Sequence, residues 1–163
     1  MGVNMIEVVD NFLDKEEFKD IQKLMYSTDF PFFYNDSITD DDDPSDHYYF
    51  THMFYNNNQQ MSRWFNIWEN FLKKINCNAL LRIKGSMYVN INKKRKHKPH
   101  RDYNFPHKGC LFYMNTNNGG TYFKEQIVLP KENRVVFFNP YELHASSLCT
   151  DQNRRLVINF NYF

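Results

Sequence analysis

Hydrophobic positions along the chain follow two regimes. In the first half they recur at helical spacing. Phe18, Ile21, Leu24 and Met25 would line the buried side of a helix running from a cap at Asp14 to about Ser27. Met61, Trp64, Phe65, Trp68, Phe71, Leu72 and Ile75 give the clearest amphipathic pattern, a second helix that must pack on a flat apolar surface. Residues 5–12 alternate loosely and predict a short strand, and residues 47–55 predict another. Between them the acidic run 40–43 before Pro44 predicts a solvated loop.

After Asn78 the pattern changes to short β-rich runs at 80–91, 110–115, 121–123, 134–138 and 155–162, with a turn at 117–120. Helices first and strands afterwards predict an α+β, mainly β, fold: a double-sheet antiparallel barrel with the N-terminal helices packed on one sheet. There is no internal repeat and no linker. One domain over residues 1–163 is expected, with 1–78 as helical support and acidic loop and 79–163 as the barrel core.

Composition narrows the function classes. With 42% hydrophobic residues and a net charge of +1, the chain reads as globular rather than disordered or broadly polyanion-binding. No stretch approaches the roughly 20 apolar residues of a membrane span, and no secretory leader is visible. The three cysteines, Cys77, Cys110 and Cys149, are far apart and odd in number, which favours free thiols in a reducing, cytoplasmic setting.

Parity along the last run points to chemistry. Leu156, Ile158, Phe160 and Tyr162 face one way, and Arg155, Val157, Asn159 and Asn161 face the other. An arginine directed into a barrel requires an anionic partner, because an unpaired buried charge is costly. Arg154 falls on the opposite face.

Candidate metal ligands lie nearby in the order. His100-Arg101-Asp102 follows the run 80–91, and His144 follows the strand 134–138 and the turn at Asn139-Pro140. Two imidazoles and one carboxylate can hold iron(II) on one face and leave the other open. Alone, such a triplet arises by chance at a rate of roughly one half in a chain with this many histidines and aspartates. Among the other histidines, His47 and His52 lie among aromatics and read as packing residues. His97, in the basic run 93–98, reads as solvated, and His107 is an alternative ligand.

Taken together these motifs resemble a family. His-x-Asp, the strand Leu111-Phe112-Tyr113-Met114-Asn115, Gly119-Gly120 before Thr121-Tyr122-Phe123, then His144 and a following Arg-Leu-Val-Ile appear in the order of the 2-oxoglutarate and iron(II)-dependent oxygenases, on the prolyl-4-hydroxylase-like branch. The resemblance covers residues 80–163. It implies a double-stranded β-helix, the cupin-like jelly roll, with His100, Asp102 and His144 as catalytic metal ligands. It further implies that Arg155 and Tyr113 bind the far carboxylate of 2-oxoglutarate.

Tyr88 and Asn90, alternating with Met87, Val89 and Ile91, are further candidates for lining the cosubstrate pocket, with an exposed polar strand edge as the competing reading. Gly119 and Gly120 read as a tight turn. Residues 36–46 are a candidate active-site lid.

The implied reaction hydroxylates an unactivated C–H bond of a peptide, protein or small-molecule substrate, using Fe(II), 2-oxoglutarate and O2, with succinate and CO2 as coproducts and ascorbate as a candidate reductant. Halogenating relatives carry a small residue where Asp102 stands, so the carboxylate favours hydroxylation. Two alternatives stay open: a nucleic-acid demethylase of the same superfamily, and a non-catalytic jelly-roll binding protein. Lys93, Lys94, Arg95, Lys96 and Lys98 would suit the first. Near-neutral charge and the lack of a second arginine six residues after Arg155, where Asn161 stands, weigh against nucleic acid.

Overall fold

A computed structural model describes residues 6–37 and 48–163. The acidic run 40–43, His47 and nearly all of the segment 36–46 read as a lid lie outside the described residues. In chain order the strands are β1 (Glu7–Val9), β2 (Phe33–Asn35), β3 (Tyr49–Asn56), β4 (Gln59–Gln60), β5 (Leu80–Val89) and β6 (Lys108–Tyr113). They continue with β7 (Thr121–Tyr122), β8 (Ile127–Val128), β9 (Arg134–Phe138), β10 (Ala145–Ser146) and β11 (Arg154–Tyr162), and the two α-helices are α1 (Lys15–Tyr26) and α2 (Glu69–Lys74).

The chain is mainly β, with two short helices and large antiparallel sheets. The larger sheet has eight strands in the order β1-β9-β6-β11-β5-β3-β2, with β4 paired to β3, and β10-β7-β8 form the smaller one. The first 78 residues therefore contribute four strands as well as both helices. Asparagines make several of its tight connections. Asn57 and Asn58, at φ 50° and 59°, turn β3 into β4, a left-handed pair that asparagine tolerates better than other side-chain-bearing residues.

Strand parity builds two cores on the two faces of the large sheet. Phe112 of β6, Val135 of β9 and Leu156, Ile158 and Phe160 of β11 face the helices, where they meet Phe18, Ile21 and Met25 of α1 and Trp68 and Phe71. Phe71 stacks on Phe160 at 4.2 Å between centroids, and Trp68 meets Phe160 edge-on at 5.2 Å. The alternate residues Leu111, Tyr113, Val136, Phe138 and Val157 point between the sheets and form the second cluster. The parity read from the last run holds, and Arg154 lies outside, with its guanidinium 4.1 Å from the Tyr26 ring centroid.

The helix over 61–75 is shorter than its pattern. Met61 N–H donates to the Phe54 carbonyl at 2.9 Å, which keeps Met61 on the β3-β4 hairpin and 57% exposed. Ser62 Oγ then accepts from Trp64 N–H, a 3₁₀ turn spans Phe65–Trp68, and only Glu69–Lys74 is α-helical. Asp14 does stand at the start of α1, but its side chain makes no capping bond.

Trp68→Ala is expected to lower unfolding free energy by about 3–5 kcal/mol in urea denaturation. Met61→Ala should stay within about 0.5 kcal/mol. Equal effects at the two positions would refute this division between core and hairpin.

Candidate metal centre and carboxylate pocket

Backbone pairing brings the two histidines together. His100 N–H donates to the His144 carbonyl at 2.9 Å and His144 N–H returns to the His100 carbonyl at 3.0 Å, so the segments after β5 and β9 meet as an antiparallel bridge. Asp102 N–H donates to the Pro140 carbonyl at 3.1 Å, which extends this pairing by one turn. As a result, the ligand atoms of His100, Asp102 and His144 all lie within 4.8 Å of one another. That donor set and spacing fit a metal ion such as iron(II).

An outer layer orients two of the three candidate ligands, His144 and Asp102. His144 Nδ1 bonds the Glu142 carbonyl at 2.9 Å, which leaves Nε2 for the centre. Asp102 takes Arg82 Nη2 on one oxygen at 2.8 Å and Asn159 Nδ2 on the other at 3.0 Å. Burial opposes ionisation of Asp102, but the Arg82 charge, the neighbouring His144 and the Asn159 bond outweigh it and bring its pKa down to about 2. Burial, reinforced by His144, pushes His100 down to about 4. At neutral pH both groups are deprotonated and able to ligate.

The pocket continues inward between the sheets. It is small, about 50 Å³, and runs from the three ligands past Ser86, Val157 and Thr121 to Arg155. Arg155 is 1% exposed. Its Nη2 donates to Thr121 Oγ1 at 2.9 Å, whereas Nε and Nη1 have no partner among the described residues. The Tyr113 hydroxyl shares Thr121 Oγ1 at 2.7 Å. Burial raises the Tyr113 pKa despite the nearby Arg155, so the phenol is neutral. One guanidinium nitrogen is thus anchored, and the unpartnered N–H groups are of the kind that suits a carboxylate.

Tyr88 is buried, lines this pocket and lies 5.3 Å from the Arg155 guanidinium, ring centroid to Cζ. Asn90 does not join it. β5 ends at Val89, and the Asn90 carboxamide turns back to accept from Asn92 N–H at 2.6 Å. Parity carries a side chain inward only while the strand lasts.

Three readings of the sequence change. His97 is not solvated but 2% exposed, stacked on Tyr88 at 5.4 Å, with Nδ1 bonded to Ser146 Oγ at 2.8 Å. The cause is pairing: His97 N–H donates to the Ser146 carbonyl, so alternation sends His97 inward and its neighbours Lys96 and Lys98 outward. His107 is not among the ligands; its Nε2 lies 2.7 Å from Asn161 Oδ1, one shell further out. Gly119 has a reason beyond the turn: neither Gly119 nor Gly120 has positive φ, and the missing side chain at Gly119 leaves space. A Cβ on Gly119 would meet Arg155 Cδ at 2.9 Å. His52 is a packing residue as expected, 4.4 Å from the Phe30 ring.

Sequence reasoning missed Arg82, Lys84, Thr121 and Asn159. Arg82, Lys84, Ser86 and Tyr88 share one face of β5 and stand opposite Asn161, Asn159, Val157 and Arg155 of β11. The parity argument used for β11, applied to the whole of β5, would have found the first two. Lys84 is a second cation of the pocket, at the end opposite Arg155, and burial and Arg82 lower its pKa to about 8 against the pull of Asp102.

No protein-family model and no curated protein matches the sequence. Solved structures do match the fold. A 2OG-Fe(II) oxygenase family oxidoreductase from Burkholderia pseudomallei aligns over 96% of this chain and 84% of its own, with a TM-score of 0.69 and 10% identity. A prolyl hydroxylase from Trichoplax adhaerens, in complex with a hypoxia inducible factor oxygen degradation domain peptide fragment, aligns over 99% and 84%, at 0.67 and 12%. The epimerase SnoN from nogalamycin biosynthesis, in complex with Fe3+, alpha ketoglutarate and nogalamycin RO, aligns over 98% and 79%, at 0.64 and 10%. The chain therefore has the fold of the 2-oxoglutarate and iron(II)-dependent oxygenases, prolyl hydroxylases among them.

Proposed function

We propose that this chain is a 2-oxoglutarate and iron(II)-dependent dioxygenase that hydroxylates an unactivated C–H bond of a peptide or small-molecule substrate, with succinate and CO2 as coproducts. One observation carries this reading: a His-Asp-His donor set and the half-partnered guanidinium of Arg155 are the two ends of a single pocket. A binding module has no need of both. In this reading the two sheets form a double-stranded β-helix, residues 1–163 are one domain, and the helices support the outer face of the larger sheet. The peptide held by the Trichoplax neighbour supports a peptide substrate. Three free thiols are consistent with a reducing, cytoplasmic setting, and among the described residues no helix is long and apolar enough to cross a membrane.

His100, Asp102 and His144 would hold the iron. Bound there with 2-oxoglutarate, it would supply activation of dioxygen and oxidation of the C–H bond, with ascorbate as the reductant that restores iron(II). The protein's own share is positional. Arg155 would receive the far carboxylate on its unpartnered N–H groups, with Nη2 held by Thr121 so that the guanidinium is already aimed. The neutral Tyr113 hydroxyl, bonded to Thr121 Oγ1, would steady that end. Tyr88 covers the guanidinium and excludes water, which strengthens the ion pair. Arg82 and Asn159 hold both oxygens of Asp102 and so fix its orientation toward the centre.

Anaerobic titration of iron(II) and 2-oxoglutarate into the protein should produce the weak visible charge-transfer band of the chelate. His144→Ala should abolish it. Gly119→Ala should retain iron but weaken 2-oxoglutarate by about tenfold or more, near 1.4 kcal/mol, because the new methyl displaces Arg155. No band in the wild type would sink the assignment, and an unchanged affinity in G119A would sink the role of Arg155.

The depressed His100 pKa also has a sign. Above its ordinary value of 6.5 the histidine is neutral in both states, and as pH falls toward about 4 the unfolded chain takes up a proton that the folded one refuses. Metal-free protein should lose stability over that window, with His100 contributing up to about 1.4 kcal/mol per pH unit. His52, also lowered by burial, adds to the slope. His100→Gln should flatten the curve measured by urea unfolding at each pH, and an unchanged slope would refute the burial of His100.

A further inference from the structure

A larger groove of about 730 Å³ lies beside the small inner pocket, and the two share His144 and Ala145 as lining. Whatever lies in the groove therefore passes directly beside a metal ligand. Its walls combine tyrosine rings with cations: Lys96 Nζ lies 4.4 Å from the Tyr122 ring centroid, and the Arg101 guanidinium lies 5.5 Å from that of Tyr141. Lys124 adds a third positive charge. Among the described residues it pairs with Glu125 at 3.7 Å, with both side chains more than 80% exposed, which contributes little in water. Against these three cations the lining holds a single acid among the described residues, Glu142.

We propose that this groove seats an acidic peptide segment of the substrate and delivers one of its residues to the centre at His144. The inference rests on the oxygenase reading and adds the substrate's charge to it. Charge complementarity selects the occupant: three separated cations match carboxylates spaced along a peptide. A polynucleotide fits less well. Its continuous phosphates call for a longer basic track, and Lys96 and Arg101 already occupy one face of Tyr122 and Tyr141, where bases would stack. An acidic chain keeps both cation–ring pairs and adds carboxylates to their free N–H groups.

The test is fluorescence anisotropy with the full-length protein and three labelled probes of matched length: a glutamate-rich peptide, the same peptide with glutamine for glutamate, and oligothymidylate. The glutamate peptide should bind at least about tenfold more tightly than the glutamine peptide and more tightly than oligothymidylate, and it should weaken as salt is raised. Lys96→Glu with Lys124→Glu should cost that peptide about tenfold or more, while circular dichroism and the iron and 2-oxoglutarate titration of the same variant stay at wild-type values. Equal binding of the two peptides, tighter binding of oligothymidylate, no binding of any probe, or an unchanged glutamate affinity in the double variant would each overturn the proposal. A chelate band without acidic preference rejects only this inference. Absence of the band rejects the oxygenase reading beneath it.

Discussion

Arg155 carries a full charge at 1% exposure, and two of its three nitrogens have no protein partner among the described residues. Such a group is costly to bury unless something anionic completes it, and the free protein carries that cost in its core. Thr121 holds one nitrogen, Tyr113 and Tyr88 enclose the rest, and Gly119 omits a side chain so that the arginine stem can pass. Each of these features is poor economy for stability alone. Together they support the proposal that this place receives a carboxylate.

The fold supplies this place by alternation. β11 lies between β5 and β6, so its helix-facing residues bury the helices while its other face presents Arg155, Val157, Asn159 and Asn161 to the space between the sheets. Asn159 then meets Asp102, and Arg82, four residues away from Ser86 on β5, meets the same carboxylate from the other side. The candidate metal ligands themselves sit on loops, but the reciprocal backbone bonds between His100 and His144 join those loops as a strand pair would. One register of β5 on β11 sets both ends of the pocket.

Much of this was legible in the chain. The parity of residues 155–162 and the His-x-Asp with a distant His rest on local patterns that tertiary structure preserves, whereas Tyr113 is singled out only by the family resemblance. What could not be read depends on where a pattern stops or on what pairs with it. Asn90 continues the parity of Tyr88, yet the strand ends one residue earlier and its side chain turns to Asn92. His97 sits in a basic run, yet pairing with β10 buries it. Met61 belongs to a helical pattern, yet the β3-β4 hairpin claims it first. Gly119 looks like turn punctuation, yet a side chain there would also crowd Arg155 and the Ser147 carbonyl.

The most direct test of the account is a crystal structure of the protein with manganese(II) and 2-oxoglutarate, grown without oxygen. The account predicts anomalous density between His100, Asp102 and His144, and a dicarboxylate whose far end is bound by the Arg155 guanidinium. Metal elsewhere, or a dicarboxylate that leaves Arg155 unpaired, would contradict it.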